Sequence, residues 1–408
     1  MRGGPGPTDA GAREWRNWSG SVRCTPTEIH APSSEDELCA VIRRAAACGR
    51  HVRAVGAGHS SSALVSCPDV QLSMSRLTGI VAVDRDAGLA RVRPGTVLSE
   101  LGRTLYRHDL ALPNYGDIAD QTIAGAIATG THGTGLGQPC LSRWLAGARL
   151  VDARGTVHRI DGGDSDLLRA SRLSLGVLGV FSELTLELVP AFDAERREYH
   201  ARTDEAIEGF QNLAREHRSF DLYWYPRRDD VKLRVVNPPG GGGPMPASAR
   251  LLEWRDGAGH EVIPAHSGLP HCFEECEYAF TLDAGLRCFA EVRRRILQRW
   301  RHVLGWRVLL RTLAGDDALL SPTRGREAIT VSIHQNASLP WRALFRDIED
   351  IFDAHDGLPH WAKKHRMRAV NLAARHPHWD AFRRIRRRLD PEDRWLSPRL
   401  RPLLEHEA

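Results

Sequence analysis

A short strand-like run, His51 to Val55, breaks directly into Gly56-Ala57-Gly58, with His59 and three serines behind it. No other feature constrains the fold as strongly. A strand that ends on glycines turns tightly, and without side chains its backbone N–H groups approach whatever lies against the turn. Ser60, Ser61 and Ser62 add hydroxyl donors, so the segment suits a diphosphate. It is neither a dinucleotide fingerprint nor a P-loop: Ser61 occupies the third glycine's place in GxGxxG, and no Walker lysine follows. On spacing alone it is either an anion cradle or a tight turn carrying a surface histidine.

A second small-residue tract narrows the choice. Leu112-Pro-Asn-Tyr-Gly-Asp117 is followed by Thr122-Ile-Ala-Gly-Ala-Ile-Ala-Thr-Gly-Thr-His-Gly-Thr-Gly135. Such residues let a flat ring lie against backbone, with Thr129, Thr131 and His132 as hydrogen-bonding groups; they also suit a helix packed closely on a sheet. Two glycine-rich tracts about seventy residues apart, each with a histidine, favour one extended ligand held between them.

The pattern around the tracts is mixed α/β. Ser34 to Ala47 reads as a helix with an acidic first turn, and Val97 to His108 as another. Val70 to Met74, Ile80 to Asp84, Leu89 to Val92 and Leu178 to Val189 read as strands. After Pro190 the character becomes α+β. Leu222 to Tyr225 and Leu233 to Val236 pair as strands, and Val308 to Leu313 and Ile329 to His334 follow. Asp283 to Leu304 predicts a long helix capped by Asp283, and Arg342 to His355 a second. Asn237 to Ser248, NPPGGGGPMPAS, has no periodicity and predicts a flexible loop or lid tip.

Composition excludes several classes. With 42% hydrophobic and 26% charged residues, the 408-residue chain is neither disordered nor fibrous. No run approaches the roughly 18 apolar residues of a membrane helix. The first fifteen residues have no apolar core for export. The net charge of +5 is small and almost wholly arginine, with lysine only at Lys232, Lys363 and Lys364. The run Arg383, Arg384, Arg386, Arg387, Arg388, interleaved with Phe382, Ile385 and Leu389, is a solvated helix face or a phosphate-binding patch. None of the eight cysteines makes a CxxC pair, and His271, Cys272 and Cys276 read as packing residues of one helix. These readings describe a monomeric cytoplasmic protein with no membrane, nucleic-acid or metal partner.

Five motifs in order, GAGHSSS, LPNYGD, TIAGAIATGTHGTG, RTLAGDDALLSP and HWAKKH, resemble the FAD-linked sugar-1,4-lactone and alditol oxidases of the vanillyl-alcohol-oxidase (PCMH-type) superfamily. The resemblance runs from about Asn17 to Pro398. It implies an α+β flavoprotein of two domains. Residues 1–190 form an FAD domain of two α/β subdomains. Residues 191–408 form a substrate domain with an antiparallel sheet flanked by helices, its tail from about 360 returning to the flavin. It further implies a covalent bond from His59 to the flavin, and a cofactor site made of Val55, Gly56, Ala57, Gly58, His59, Ser60, Ser61, Gly116, Asp117, Thr122, Gly125, Ala126, Ile127, Ala128, Thr129, Thr131, His132 and Val180. Gly116 would leave room for oxygen.

For catalysis the resemblance assigns Arg311 and Lys363, with His334 and His360 in support. Read bare, Arg311 is a surface ion-pair residue and Lys363 a loop lysine. In a pocket, burial and Arg311 would lower the lysine's pKa so that it shares a substrate hydroxyl proton. The departures bear on substrate. Leu309 stands where many relatives carry glutamate, Asp117 where they carry serine, and His334 where polyol oxidases carry a small hydroxyl residue. Asp117 and His334 form either an acid–base pair or a structural hydrogen bond. The expected reaction is oxidation of a CH–OH group of a sugar, polyol, lactone or glycoside, with oxygen as acceptor, or a dehydrogenase reaction on the same fold.

Overall fold

A computed structural model describes residues 14–162, 165–264, 271–323 and 325–405. Residues 1–13, which hold most of the segment read above as lacking an export signal, lie outside the described residues. Among the described residues no helix is long and apolar enough to cross a membrane.

The first sheet is parallel. Strands β1 (Glu28–His30), β2 (Val52–Val55) and β3 (Val70–Ser73) lie in the order β1-β3-β2. Helix α1 (Glu35–Ala47) makes the crossover between the first two, capped by Ser34, whose Oγ accepts from Glu37 N. Leu38, Val41, Ile42 and Ala45 recur at helical spacing and are buried. The second sheet is antiparallel. Strands β4 (Ile80–Asp84), β5 (Leu89–Val92), β6 (Leu145–Val151), β7 (Val157–Ile160) and β8 (Val180–Glu187) lie in the order β7-β6-β8-β5-β4. Helices α2 (Leu98–Tyr106) and α3 (Ile123–Thr129) come between β5 and β6 in the chain.

The third sheet has eight antiparallel strands: β9 (Asp193–Arg202), β10 (Ser219–Tyr225), β11 (Asp230–Asn237), β12 (Arg250–Ala258), β13 (Phe273–Phe280), β14 (Val308–Leu313), β15 (Ala328–Asn336) and β16 (Leu358–Pro359). Their order is β12-β9-β11-β10-β14-β15-β13-β16. Period-two alternation separates its two faces. Leu222, Trp224, Cys276, Tyr278, Phe280, Leu310, Val331 and Ile333 belong to the apolar core. Helices α4 (Leu282–Arg295) and α5 (Arg342–Ala354) cover that side: Trp224 meets Phe289, and Phe280 meets Phe352. A Cβ at Gly285 would lie 1.8 Å from Ile329, so only glycine lets α4 come this close. The intervening residues of the same strands form the polar face.

Several expectations are corrected. Thr281, not Asp283, caps α4, accepting from Ala284 N, and the regular helix ends at Arg295 in a π turn, Ile296–Trp300. Cys276 lies on strand β13 rather than on a helix. The loop from Asn237 to Ser248 is tied to Glu195 and Glu205 by the N–H groups of Gly240 and Ser248, and lines no part of the cleft described below. The arginine run lies on α6 (Trp379–Leu389), but Arg386 is buried against Asp393 and Glu405, and Arg383 and Arg387 also pair with Glu405.

Chain ends and sheets are locked together by Arg53 of β2. Burial pushes its guanidinium down to about 10, yet it donates to the carbonyls of Gly176, Leu175 and Trp395 at 2.8, 2.6 and 2.9 Å. Arg53→Ala leaves three buried carbonyls without donors. It should lower the stability of the flavin-free protein by about 3 kcal/mol or more in a urea titration. Arg384→Ala, on the exposed side of α6, should stay within about 0.5 kcal/mol.

Candidate active site

One cleft is bounded on one side by both glycine tracts and on the other by the polar face of the eight-stranded sheet. Gly56 and Thr122, far apart in sequence, touch: a Cβ on Gly56 would fall 2.0 Å from Thr122 Oγ1. Val55, Gly56, Ala57, Gly58, His59 and Ser60 line the cleft. The N–H groups of Ala57 to Ser60 donate to no other described residue, which leaves a row of unspent donors for an anion. Ser61 is corrected: it lines no part of the cleft and is buried, its N–H and hydroxyl directed to the Ala362 carbonyl.

The second tract presents one helical face. Thr122, Gly125, Ala128 and Thr129 line the cleft at helical spacing, as do Gly116, Asp117, Thr131, His132 and Val180. Ala126 and Ile127 are corrected, because the same periodicity turns them into the core. A Cβ on Gly116 would lie 3.0 Å from Thr131 Cγ2, a tight contact that a larger residue relieves only by displacing that methyl group.

His59 stands at the tip of the glycine turn and lines the cleft. Burial lowers the pKa of its imidazole, so the ring is neutral, and its buried Nδ1 has no hydrogen-bond partner. Trp18 packs at 5.4 Å. The unspent amides, the small-residue wall and this orphaned nitrogen suit an extended, diphosphate-bearing ligand such as FAD.

On the sheet face, β14 points Arg311 and Leu309 into the cleft, with Arg307 just before the strand. The register sets Leu309 against Ser332 of β15, and Ser332 against Glu277 of β13. Glu275 and Glu277 are the residues that sequence reading missed. Their signal was present: of three glutamates in the strand Phe273-Glu-Glu-Cys-Glu-Tyr-Ala-Phe280, Glu275 and Glu277 lie two apart and so share one face.

Glu277 Oε1 accepts from Arg311 Nη2 at 2.5 Å and lies 3.3 Å from His132 Nε2, while its buried Oε2 has no partner. Burial raises its pKa, but Arg311 and His132 outweigh that and hold it well below the carboxylate range. Glu275 is likewise penalised by burial and held low by Lys363 and His334. It pairs with Lys363, accepts from Ser332 Oγ at 2.5 Å, and lies 3.2 Å from His334 Nε2. That contact leaves His334 Nδ1 buried without a partner.

The four residues expected to be catalytic, Lys363, Arg311, His334 and His360, therefore line one cleft. Two expectations change. The charge beside Lys363 is the Glu275 carboxylate rather than Arg311. Asp117 is held by Arg234 at 2.6 Å and by the Tyr223 hydroxyl at 3.2 Å, and His334 by Glu275; of the two readings of that pair, the separate structural bonds are what the structure contains. Burial pushes His360 down to about 3. Its Nδ1 accepts from Ala362 N at 3.1 Å, so the neutral ring offers an Nε2–H donor. His132, Glu277 and His360 also lie within metal-ligand reach of one another. Arg311 already occupies a Glu277 oxygen, and its positive charge opposes a cation there.

Comparison with known proteins agrees with this geometry. Residues 26–161 match the FAD binding domain family, and residues 266–403 the D-arabinono-1,4-lactone oxidase family. The L-gulono-1,4-lactone dehydrogenase of Mycobacterium tuberculosis is 32% identical, covering 96% of this chain and 99% of its own. The alditol oxidase of a Streptomyces species is 32% identical over 95% and 98%. In fold, the chain resembles the cholesterol oxidase of B. sterolicum, with a TM-score of 0.83 at 15% identity over 96% of each chain.

The buried charges predict the response to acid. Glu275 and Glu277 have depressed folded-state pKa values, so their contribution is full above about pH 4.3 and lost as pH falls through the folded values. The depressed His360 acts in the same sense: the unfolded chain takes up a proton first, below about pH 6.5. Urea midpoints should therefore fall continuously as pH is lowered from 7 toward 3. Glu277→Gln should cost about 3–5 kcal/mol at pH 7, because Arg311 is left buried without its carboxylate.

Proposed function

Because the chain belongs to the FAD-linked sugar-1,4-lactone and alditol oxidase family, we propose that it is a flavoprotein oxidase acting on the CH–OH group of a sugar, polyol, sugar lactone or sugar-bearing metabolite. One observation carries the reading. A wall suited to FAD faces a buried histidine–glutamate dyad, His334–Glu275, with Arg311 and Lys363 in the same cleft. The part up to residue 190 holds the cofactor, the part from 191 supplies the substrate face, and the tail from about 360 returns to join them.

FAD, when bound, supplies the acceptor for the carbinol hydride and passes the electron pair to oxygen, giving hydrogen peroxide. The protein handles the proton and the geometry. Glu275 accepts from His334 Nε2–H and so fixes the tautomer whose Nδ1 takes the substrate hydroxyl proton. Lys363 Nζ and His360 Nε2–H donate to the substrate oxygen and hold it in place. Arg311, its fork fixed by Glu277, sets a positive charge where negative charge develops. His59 is the residue we assign to covalent flavin attachment, its neutral nitrogen being the nucleophile. The name of the mycobacterial relative favours a second reading, a dehydrogenase reaction in which another electron acceptor serves.

Flavin should stay with the acid-denatured wild-type chain and be released from His59→Ala; release from wild type would remove the covalent assignment. His334→Asn should lower kcat by about 10²–10⁴-fold with flavin content retained. A change under threefold would remove His334 as the base. Photoreduced enzyme mixed with oxygen should reoxidise within the turnover time and form peroxide stoichiometrically. Slow reoxidation would assign the dehydrogenase reaction.

A further inference from the structure

Beside the cleft lies a second pocket of about 280 Å³, lined by Tyr225, Pro226, Arg227, Arg228, Leu304, Gly305, Trp306 and Arg307. Arg307 lines both this pocket and the cleft. Its lining holds three guanidinium groups and no carboxylate. Two of these groups are oriented by aromatic faces. Arg228 lies 5.2 Å from the Tyr225 ring, with Nε donating to Asp230 at 2.7 Å, and Arg307 lies 4.5 Å from Tyr223 and 5.8 Å from Trp306. Stacking holds a guanidinium's positive charge in one place, which reduces the ordering lost when an anion binds beside it. Arg227 is exposed at the pocket's edge.

The strand works as a ruler between the two sites. Leu309 and Arg311 are alternate residues on one side of β14, and Arg307, just before it, lines the same cleft, so Arg307 is about 13 Å from Arg311. Arg311 sits with the catalytic histidines, Leu309 marks an apolar midpoint, and the arginine pocket closes the far end. A single lactone ring or a short polyol held at Arg311 cannot reach it.

We propose that this pocket is a subsite for an anionic group, phosphoryl or carboxylate, borne by the substrate about 13 Å from the carbinol that is oxidised. The substrate is then an anionic sugar conjugate longer than a simple lactone or alditol. This deepens the alcohol-oxidising reading of the cleft and rests on it.

The test uses FAD-loaded enzyme, so that the flavin's own diphosphate site is filled. Calorimetric titration with inorganic pyrophosphate and with maltobionate should show submillimolar binding. Binding should weaken at least tenfold in Arg227→Ala, an exposed position whose replacement does not threaten folding, and in Arg307→Gln. Heat from pyrophosphate alone assigns a phosphoryl group, and heat from maltobionate alone a carboxylate. In turnover, kcat/KM for maltobionate, or for a phosphorylated disaccharide alditol, should exceed that for neutral maltitol at least tenfold, through KM. That ratio should collapse in both variants. No binding of either anion at millimolar concentration, or equal kcat/KM for charged and neutral substrates, overturns the subsite. Arginine-dependent anion binding with none of these alcohols oxidised leaves the subsite standing and counts against the reaction.

Discussion

The carbonyl of Ala362 accepts the N–H groups of Ser61 and Ser62 at 2.8 and 3.1 Å, and much of the site depends on that contact. It joins the first glycine turn to a tail segment some three hundred residues later. Ser62 Oγ extends the contact to the Trp361 carbonyl at 2.9 Å. Since His360 and Lys363 flank these residues, the contact that ends the turn also brings both of them to the cleft. Arg53, one strand earlier, ties the same region to Trp395. The small-residue wall therefore meets the charged sheet across a fixed distance.

The sheet's polar face carries charge that would be costly to bury singly. Its groups are paired across strands instead: Glu277 with Arg311, Glu275 with Lys363 and His334, and Asp117 and Asp221 with Arg234. Such pairs contribute little net stability, since desolvation offsets attraction. What they contribute is orientation. A guanidinium held by a carboxylate, and an imidazole held at one nitrogen, cannot rotate away when a ligand arrives. Leu309 interrupts this charged surface at one place. Glu277, two strands over, supplies a carboxylate to the same cleft, where it holds Arg311.

The alternation of strands and helices was legible because it is local. Glycine turns, acidic helix starts and period-two runs are set by a few neighbouring residues, and α1, β2 to β5 and β14 lie where their patterns place them. The errors were local as well. Thr281 and Asp283 compete for one cap, and Thr281, in extended backbone one residue before the helix, is the one whose side chain accepts from Ala284 N. Ala126 and Ile127 shared a motif with cleft residues, but the helix turned them inward.

By itself the sequence determined the two glycine cradles, the strand character of the second half and the residue types available for chemistry, since backbone freedom and hydrophobic period act over a few residues. The tertiary structure alone decided which charges meet. Glu275 reaches His334 and Lys363 only through the pairing register of β13 with β15 and the return of the tail. The arginine pocket lies beside the cleft because β14 runs alongside β10. Register and crossover are properties of the packed sheet, in which each strand is placed by its neighbours, and no short window of sequence contains them.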